Sequence, residues 1–581
     1  LEELTRTVIA TDGGSAGGDG EIPNTLHASL TARLDRLGEA KDLARIGAVI
    51  GRSFPLGLIA KVAKLPLDTA TRILDALVAS GVVIRHGAAA EATYTFRHAL
   101  IQDVAYDSLL RSRRRDVHAR LADVLLQDFP DWVETGPETV AHHFSLAALP
   151  DRAVEYWLRA GQRAGERSAH VEAVAHLEAG LAQLEQLPPA ASKDEMEFSL
   201  RIALGASLLT AEGWSAPKVA ENYERAQELS VSGDDVRKLF IALRGLANVF
   251  FLNGKVKDTR RLVDRLEVMA LEQDDTGMCL EAFRAAGMCA LFMGDFGAAL
   301  ENLQRANAMY ERVRHHALAF VYGTDPAVVG LSGAAWANWF LGDPEEAGNS
   351  CDAALELAID LDHPFSLTYA QSLAASLHQF RRQPEAVLVH AEAAIANATE
   401  HDYPYWRGWA GIMRGWALGV LGNPSEGIDV LRRGFEIYEG TGAKQIGPYV
   451  QTMLAELYGL AGLPEKGIDA LNEAFGPGNT TDVCFFEAEA LRIHGELLRQ
   501  SDSGDGLDYF TRAMDLARGQ GARALELRAA LSAAAAARQN GDAAAARTFV
   551  EDIHRRFDSA LIVQETANTT ELLAALGMRQ E

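Results

Sequence analysis

Several stretches of this sequence place side chains capable of chemistry close together. His98, after Phe96-Arg97, opens a helical phrase, where its ring could face a nucleotide or a neighbouring domain, or simply serve the helix start. Arg111, Arg113, Arg114 and Arg115 form a dense basic cluster, suited to DNA phosphates, to contact with another domain, or to a solvated helix end. His142-His143 and His315-His316 are adjacent pairs, and adjacent residues on a helix point to different sides, so neither pair readily chelates one metal. Trp406, Trp409, Met413 and Trp416 share one helical face, with Trp336 and Trp339 earlier in the chain; such a stripe serves as a packed seam or as a wall on which a ligand stacks. The glycine-rich run at residues 11–20 lacks the GxxxxGK[ST] pattern and a nearby lysine, and reads as a flexible linker rather than a phosphate cradle. Cys279, Cys289, Cys351 and Cys484 make no CxxC pair and sit in helical patterns, as buried thiols in a reducing compartment do. No catalytic, cofactor-binding or metal-ligating residue is assigned.

The elements that must position these residues repeat. A Gly or polar residue is followed five, nine and twelve positions later by small or apolar residues: Gly294 by Ala299, Leu303 and Ala306, and Gly342 by Ala347, Cys351 and Ala354. The phase returns at Gly254, Arg381, Gly422, Gly462, Ser501 and Gly541, with successive spacings of 40, 48, 39, 41, 40, 39 and 40. A fixed period of this kind predicts a solenoid. Glycine closes one helix in the left-handed geometry it adopts cheaply, and the ladder lays one stripe of small residues along the next helix. The pattern resembles tetratricopeptide repeats, with each unit lengthened by about a helical turn and a half. The interval of 48 carries extra residues around His315 to Pro326, and insertions in a solenoid emerge on one face. Tyr322 and Asp325 in that insertion join His98 and the arginines as candidate interdomain or partner contacts.

A chain of 581 residues exceeds one compact core, and its net charge of -25 repels nucleic acid unless a basic patch is segregated. Nucleic acid is therefore a disfavoured partner. No apolar run approaches a membrane span and no signal segment opens the chain, so a cytoplasmic location is expected. The chain begins at Leu1 within a helical phrase, Leu1-Glu2-Glu3-Leu4-Thr5-Arg6, as a piece of a longer protein would.

Residues 23–130 read as a small separate domain. Leu26, Leu30, Leu34 and Leu37 mark one helix, and Leu43, Ile46, Val49 and Ile50 a second. A third starts near Leu56, and a fourth, capped by Asp68, carries Ile73, Leu74, Leu77 and Val78 to Gly81. Val82 to Arg85 and Thr93 to Phe96 are strand-like runs joined by the small-residue turn Gly87 to Ala90. Helices followed by a β-hairpin predict a winged helix, a module that reads DNA or serves as a lever between domains.

Beyond the hairpin, Phe96-Arg97-His98-Ala99-Leu100-Ile101-Gln102-Asp103-Val104-Ala105-Tyr106 followed by Leu109-Leu110-Arg111-Ser112-Arg113-Arg114-Arg115 resembles the segment closing the ATPase module of large bacterial signalling proteins of the class III adenylate/guanylate cyclase type. Ile46-Gly47-Ala48-Val49-Ile50-Gly51-Arg52, the run Ala319 to Pro326, and the paired Gly-Trp-Ala phrases at 408 and 415 fit the same family. The resemblance implies a cyclase domain, then an AAA/STAND-type ATPase, a winged-helix region and a tetratricopeptide array. It places the nucleotide chemistry, with its ATP and Mg, upstream of Leu1, so neither activity belongs to this segment and no cofactor is expected within it.

The reading that follows is an all-α, tetratricopeptide-like α-solenoid preceded by a small winged-helix domain. Residues 1–22 end the upstream module, 23–130 form the winged helix, 131–250 the first helical repeats and 251–581 the repeats of about 40 residues. Its expected role is regulatory: the array binds a protein or small effector, and the winged helix couples it to the upstream ATPase/cyclase domains. The alternative is the sensor part of a STAND-type, ATP-dependent transcription regulator.

Overall fold

The computed structural model describes residues 26–88, 91–211, 217–231, 235–476, 479–557 and 561–562. The glycine-rich run at 11–20, the opening helical phrase and Ala89-Ala90 of the expected turn lie outside the described residues. The chain folds as two compact units, Leu1–Ala160 with His176–Met196, and Gly161–Ala175 with Glu197–Glu581.

The first unit runs α1 (Leu26–Asp35), α2 (Ala40–Ile50), β1 (Ser53–Pro55), α3 (Leu56–Ala63), α4 (Leu67–Ala79), β2 (Val83–His86), β3 (Thr93–Phe96), α5 (Ala99–Asp107), α6 (Arg111–Asp128), α7 (Pro130–Thr135), α8 (Pro137–Leu146) and into α9 (Pro150–Glu166). The apolar stripes face one core, which buries Leu30, Leu34, Leu43, Val49, Leu74 and Leu77. The hairpin is present, with Val83 opposite Phe96. A strand not read from the sequence, β1, pairs with the other edge of β3 and sets Phe54 opposite Tyr94, in the order β1-β3-β2. Three residues bounded by Ser and Pro show no alternation, so only the pairing identifies β1 as a strand. Asp68 does not cap α4: Pro66 holds that position without a side-chain bond, and Asp68 lies in the first turn, where its charge suits the helix dipole.

The second unit takes in α10 (His170–Leu184) as far as Ala175, most of α11 (Ala191–Ala211), α12 (Pro217–Val231) and then a succession of antiparallel pairs. These are α13 (Val236–Leu252) and α14 (Val256–Gln273), then α15 (Thr276–Phe292) and α16 (Phe296–Met309). After the insertion, α17 (Arg312–His315), a 3₁₀ turn and α18 (Ala319–Tyr322), come α19 (Pro326–Leu341) and α20 (Pro344–Asp360), α21 (Pro364–Phe380) and α22 (Pro384–Glu400), and α23 (Pro404–Val420) and α24 (Pro424–Gly440). The last pairs are α25 (Gly447–Leu460) and α26 (Pro464–Phe475), α27 (Glu487–Gln500) and α28 (Leu507–Gly519), and α29 (Arg523–Gln539) and α30 (Ala543–Arg556). This is the tetratricopeptide-like architecture that the 40-residue period predicts.

The two helices of a pair have different surroundings. The second buries a single stripe, which in α16 is Phe296 followed by Ala299, Leu303 and Ala306, the residues of the five, nine, twelve ladder. The first is buried nearly all round, as in α15, where every residue from Met278 to Phe292 is covered. Left-handed residues end the first helices at Gly254, Gly294, Gly342, Gly422, Gly462 and Gly541; where the phase fell on Arg381 and Ser501, Arg382 and Asp502 adopt that conformation instead.

The array also closes on itself. A helix leaves its last carbonyls without internal partners, and here distant chain supplies the donors. The amides of Lys444 and Gln445 bond the Leu252 carbonyl ending α13, the Cys484 amide bonds the Phe292 carbonyl ending α15, and Arg528 bonds the Phe380 carbonyl ending α21. Phe485 follows this clasp into a core of Phe292, Trp336, Phe380 and Tyr449, with ring centroids 5.0 to 6.4 Å away.

Candidate functional site

In the first unit the arginine cluster forms the opening turn of α6, which holds no acidic residue of its own, though Asp107 at the end of α5 approaches Arg114 at 3.5 Å. Arg111, Arg113 and Arg115 are exposed. Arg114 is not a solvated helix end. Its guanidinium lies 4.1 Å from the Tyr106 ring centroid and donates to the Tyr106 and Leu109 carbonyls at 3.1 and 3.4 Å. His98 occupies the N-cap position of α5 in extended geometry but makes no side-chain cap bond. Tyr106 leads inward to a histidine pair that the sequence hid: its hydroxyl meets His118 Nε2 at 3.0 Å, and His118 Nδ1 meets His143 Nδ1 at 3.1 Å. Burial, with His142 and neighbouring charge, pushes His118 down to about 4 and His143 to about 3, so the pair is neutral. One ring therefore donates and the other accepts.

The insertion packs inward as well as outward. Asp325 is fully buried. One carboxylate oxygen caps α19 by accepting from the Ala327 and Val328 amides, and the other meets Tyr310 Oη at 2.8 Å and His316 Nδ1 at 3.1 Å. Its own amide donates to Ser366 Oγ, which also meets His363 Nδ1 at 2.8 Å. A Ser, His and Asp thus lie together without forming a nucleophilic triad, because Asp325 bonds a different histidine and Ser366 is completely buried. Asp325 is a structural clip rather than an exposed contact. Tyr322, by contrast, lines a cavity.

That cavity, about 760 Å³ counted out to solvent, is walled by the first helices α13, α15, α19, α21 and α23 together with α14, the insertion and Gln445 of the clasp. Most of its wall is apolar or aromatic, including Tyr369, Tyr405, Trp406 and Trp409, so the tryptophan stripe is a buried seam whose upper rings also form a wall. Arg244 and Arg284 line it, and both are buried. They converge on the Glu281 carboxylate behind them: Arg284 Nη2 approaches Oε2 at 2.5 Å, and Arg244 Nε approaches the same oxygen at 3.3 Å. Burial raises the Glu281 carboxyl above the usual range and Arg244 draws it back. The sequence signal was present: Glu281 and Arg284 stand in an otherwise apolar run from Met278 to Phe292, with no polar face to put them on.

The cysteines are free, and burial pushes Cys289 and Cys351 up to about 12 and Cys484 to about 11, which makes them poor nucleophiles. Among the described residues no group of three or more His, Cys, Asp or Glu is placed to hold a metal, and no helix is long and apolar enough to cross a membrane.

No family model matches the chain. It is similar to an uncharacterized protein of Rhizobium meliloti (strain 1021), with 27% identity over 526 residues, 88% of this chain and 50% of the relative. The chain thus spans about half the length of the curated relative it matches. Among solved structures, a Rap protein complexed with competence and sporulation factor gives a TM-score of 0.45 at 16% identity, covering 64% of this chain and 99% of its own. A signal transduction ATPase with numerous domains and a tetratricopeptide repeat sensor, from Pyrococcus horikoshii, gives 0.33 at 12%, covering 92% and 66%. Yeast Tom70 gives 0.33 at 14%, covering 73% and 96%.

Proposed function

We propose that this chain is the regulatory segment of a longer signalling protein, in which the helical-repeat array binds a protein partner or small effector and the first unit, as a winged-helix lever, passes the bound state to upstream nucleotide-using domains. The observation that carries this reading is the cavity itself. Its wall is drawn from five successive first helices and from the clasp, so an occupant touching all of them favours one relative arrangement of the repeats. A ligand biases a switch only by such a preference between states. The helix and strand order of the first unit and the exposed Arg111, Arg113 and Arg115 support the lever, and the acidic balance of the chain argues for protein rather than DNA as the surface they meet.

The test is nucleotide turnover by the full-length parent, with ATP consumption and cyclic nucleotide formation followed separately, before and after removal of residues 197–581, which leaves the first unit whole. The expected result is a changed rate or a lost response to effectors. An unchanged rate and response would overturn the regulatory reading.

A further inference from the structure

We propose that the cavity binds a small organic monoanion, a carboxylate carried on an aromatic or apolar body. This deepens the reading above and rests on it only for its regulatory consequence; the binding stands on the geometry. Arg284 spends its Nε and Nη2 on Glu281, and Arg244 approaches the same carboxylate through Nε. Among the described residues no hydrogen bond reaches Arg284 Nη1 or either Nη of Arg244, so the wall offers donor edges of two buried guanidiniums. Glu281 neutralises one of the two charges. Asp325, the next carboxylate, is taken up by two backbone amides, Tyr310 and His316. One positive charge is left facing the cavity, which suits a monoanion; a dianion such as phosphate would leave a buried negative charge of its own. Charge this far from water is tolerated only when it is paired.

Two further atoms ask for a polar partner. Trp406 Nε1 and Gln445 Oε1 belong to lining side chains, each 3% exposed, and neither has a hydrogen bond. A donor and an acceptor beside the guanidinium edges suit the polar end of a ligand, while the surrounding rings suit its body. Few, convergent polar groups in an aromatic wall are the usual make-up of small-molecule sites.

The experiment uses the full chain and three probes, benzoate, 3-phenylpropionate and indole-3-acetate, each paired with its neutral amide. Binding is read by calorimetric titration and by the shift of the unfolding midpoint. At least one carboxylate is expected to bind and raise the midpoint where its amide does not. Arg244→Gln, which leaves Arg284 on Glu281, is expected to weaken that binding at least tenfold. Trp406→Phe, which keeps an aromatic ring but removes the indole donor and part of the wall, is expected to weaken it severalfold with unchanged far-UV circular dichroism, and it decides the matter if Arg244→Gln does not fold. The proposal is overturned if no carboxylate binds at millimolar concentration, if amides bind equally well, or if the folded variants bind as the parent does. Binding that leaves the full-length parent's turnover unchanged would sink the regulatory reading alone; absent binding, with turnover still sensitive to loss of the array, would sink this inference alone.

Discussion

Cys484 Sγ donates to the Met293 carbonyl at 3.0 Å across 191 residues of chain. That bond sits in the clasp at which the fifth unit after Gly294 meets the turn where it began, and it places Phe485 against rings from α15, α19, α21 and α25. An open solenoid transmits stability only between neighbours. This one has a second path through the clasp.

Phe485→Ala is therefore expected to cost about 3–5 kcal/mol, the usual range for deleting a buried aromatic ring. The distinctive readout is hydrogen exchange. Amides of α15 and α27 should lose protection together, although the helices are far apart in sequence. Loss confined to α27 and its immediate neighbours would show that the clasp carries no coupling.

The tightest crossing in the array, α23 on α24, makes a second prediction. A Cβ on Gly415 would stand 2.3 Å from the Leu431 amide nitrogen, and one on Gly434 2.6 Å from that of Ile412, so the backbones themselves would have to part. Gly415→Ala should destabilise by about 1–3 kcal/mol, the cost of overpacking. Gly440, at the end of α24, would meet nothing within 4 Å. Gly440→Ala should be neutral or stabilise by up to about 1 kcal/mol through the unfolded chain. Denaturant midpoints of the two variants check the contrast, and equal effects would refute the close approach.

What the sequence disclosed divides along physical lines. The ladder from Gly294 to Ala306 was legible because the second helix of each pair buries one stripe, and a stripe has a period. The first helices are covered on nearly every side, so Met278 to Phe292 shows no periodicity and their part in a cavity stayed hidden. A further local signal lies in the prolines: those at 344, 364, 384, 404, 424 and 464 each begin a helix and fall on multiples of 20 residues apart. Proline is favoured at the first helical position, and that spacing marks both helices of each unit. Tyr322 was singled out and does line the cavity. Arg244, Glu281 and Arg284 were missed because an acidic and a basic residue three apart on a helix ordinarily lie on a solvated face. The Tyr106, His118 and His143 contacts join separate helices, and nothing local announces them.

Buried neutral histidines set the acid limb of stability. His118, His170 and His363 are pushed down to about 4 and His143 to about 3, chiefly by burial. With folded values below the unfolded value of 6.5, the unfolded chain binds more protons in between. Stability is then full above about pH 6.5 and falls as pH drops toward 4, by at most about 3 kcal/mol per ring. Both ring nitrogens of His170 lack a hydrogen-bond partner, so His170→Phe removes a titrating group without breaking a bond. It should flatten the dependence of the unfolding midpoint on pH over that window. An unchanged slope would mean that His170 is protonated in the folded protein.

The arginine cluster should split into one structural member and three free to act on a partner. Arg114 stacks on Tyr106, the residue that bonds His118, and also ties down carbonyls at the end of α5 and the start of α6. Arg114→Ala should destabilise the first unit by about 1–2 kcal/mol, the sum expected for a partly desolvated cation–π contact and charge-assisted bonds. Arg111, Arg113 and Arg115 crowd the positive end of the α6 dipole, where cations are unfavourable. Their triple replacement by alanine should leave stability unchanged or improve it slightly, while weakening the coupling to upstream domains proposed above. Thermal unfolding of the isolated chain and nucleotide turnover of the full-length parent separate the two effects. If the triple variant unfolds earlier, those side chains serve the fold, and the exposed cluster ceases to be a candidate contact; if it is stable and turnover is unaltered, the lever must be sought on another face.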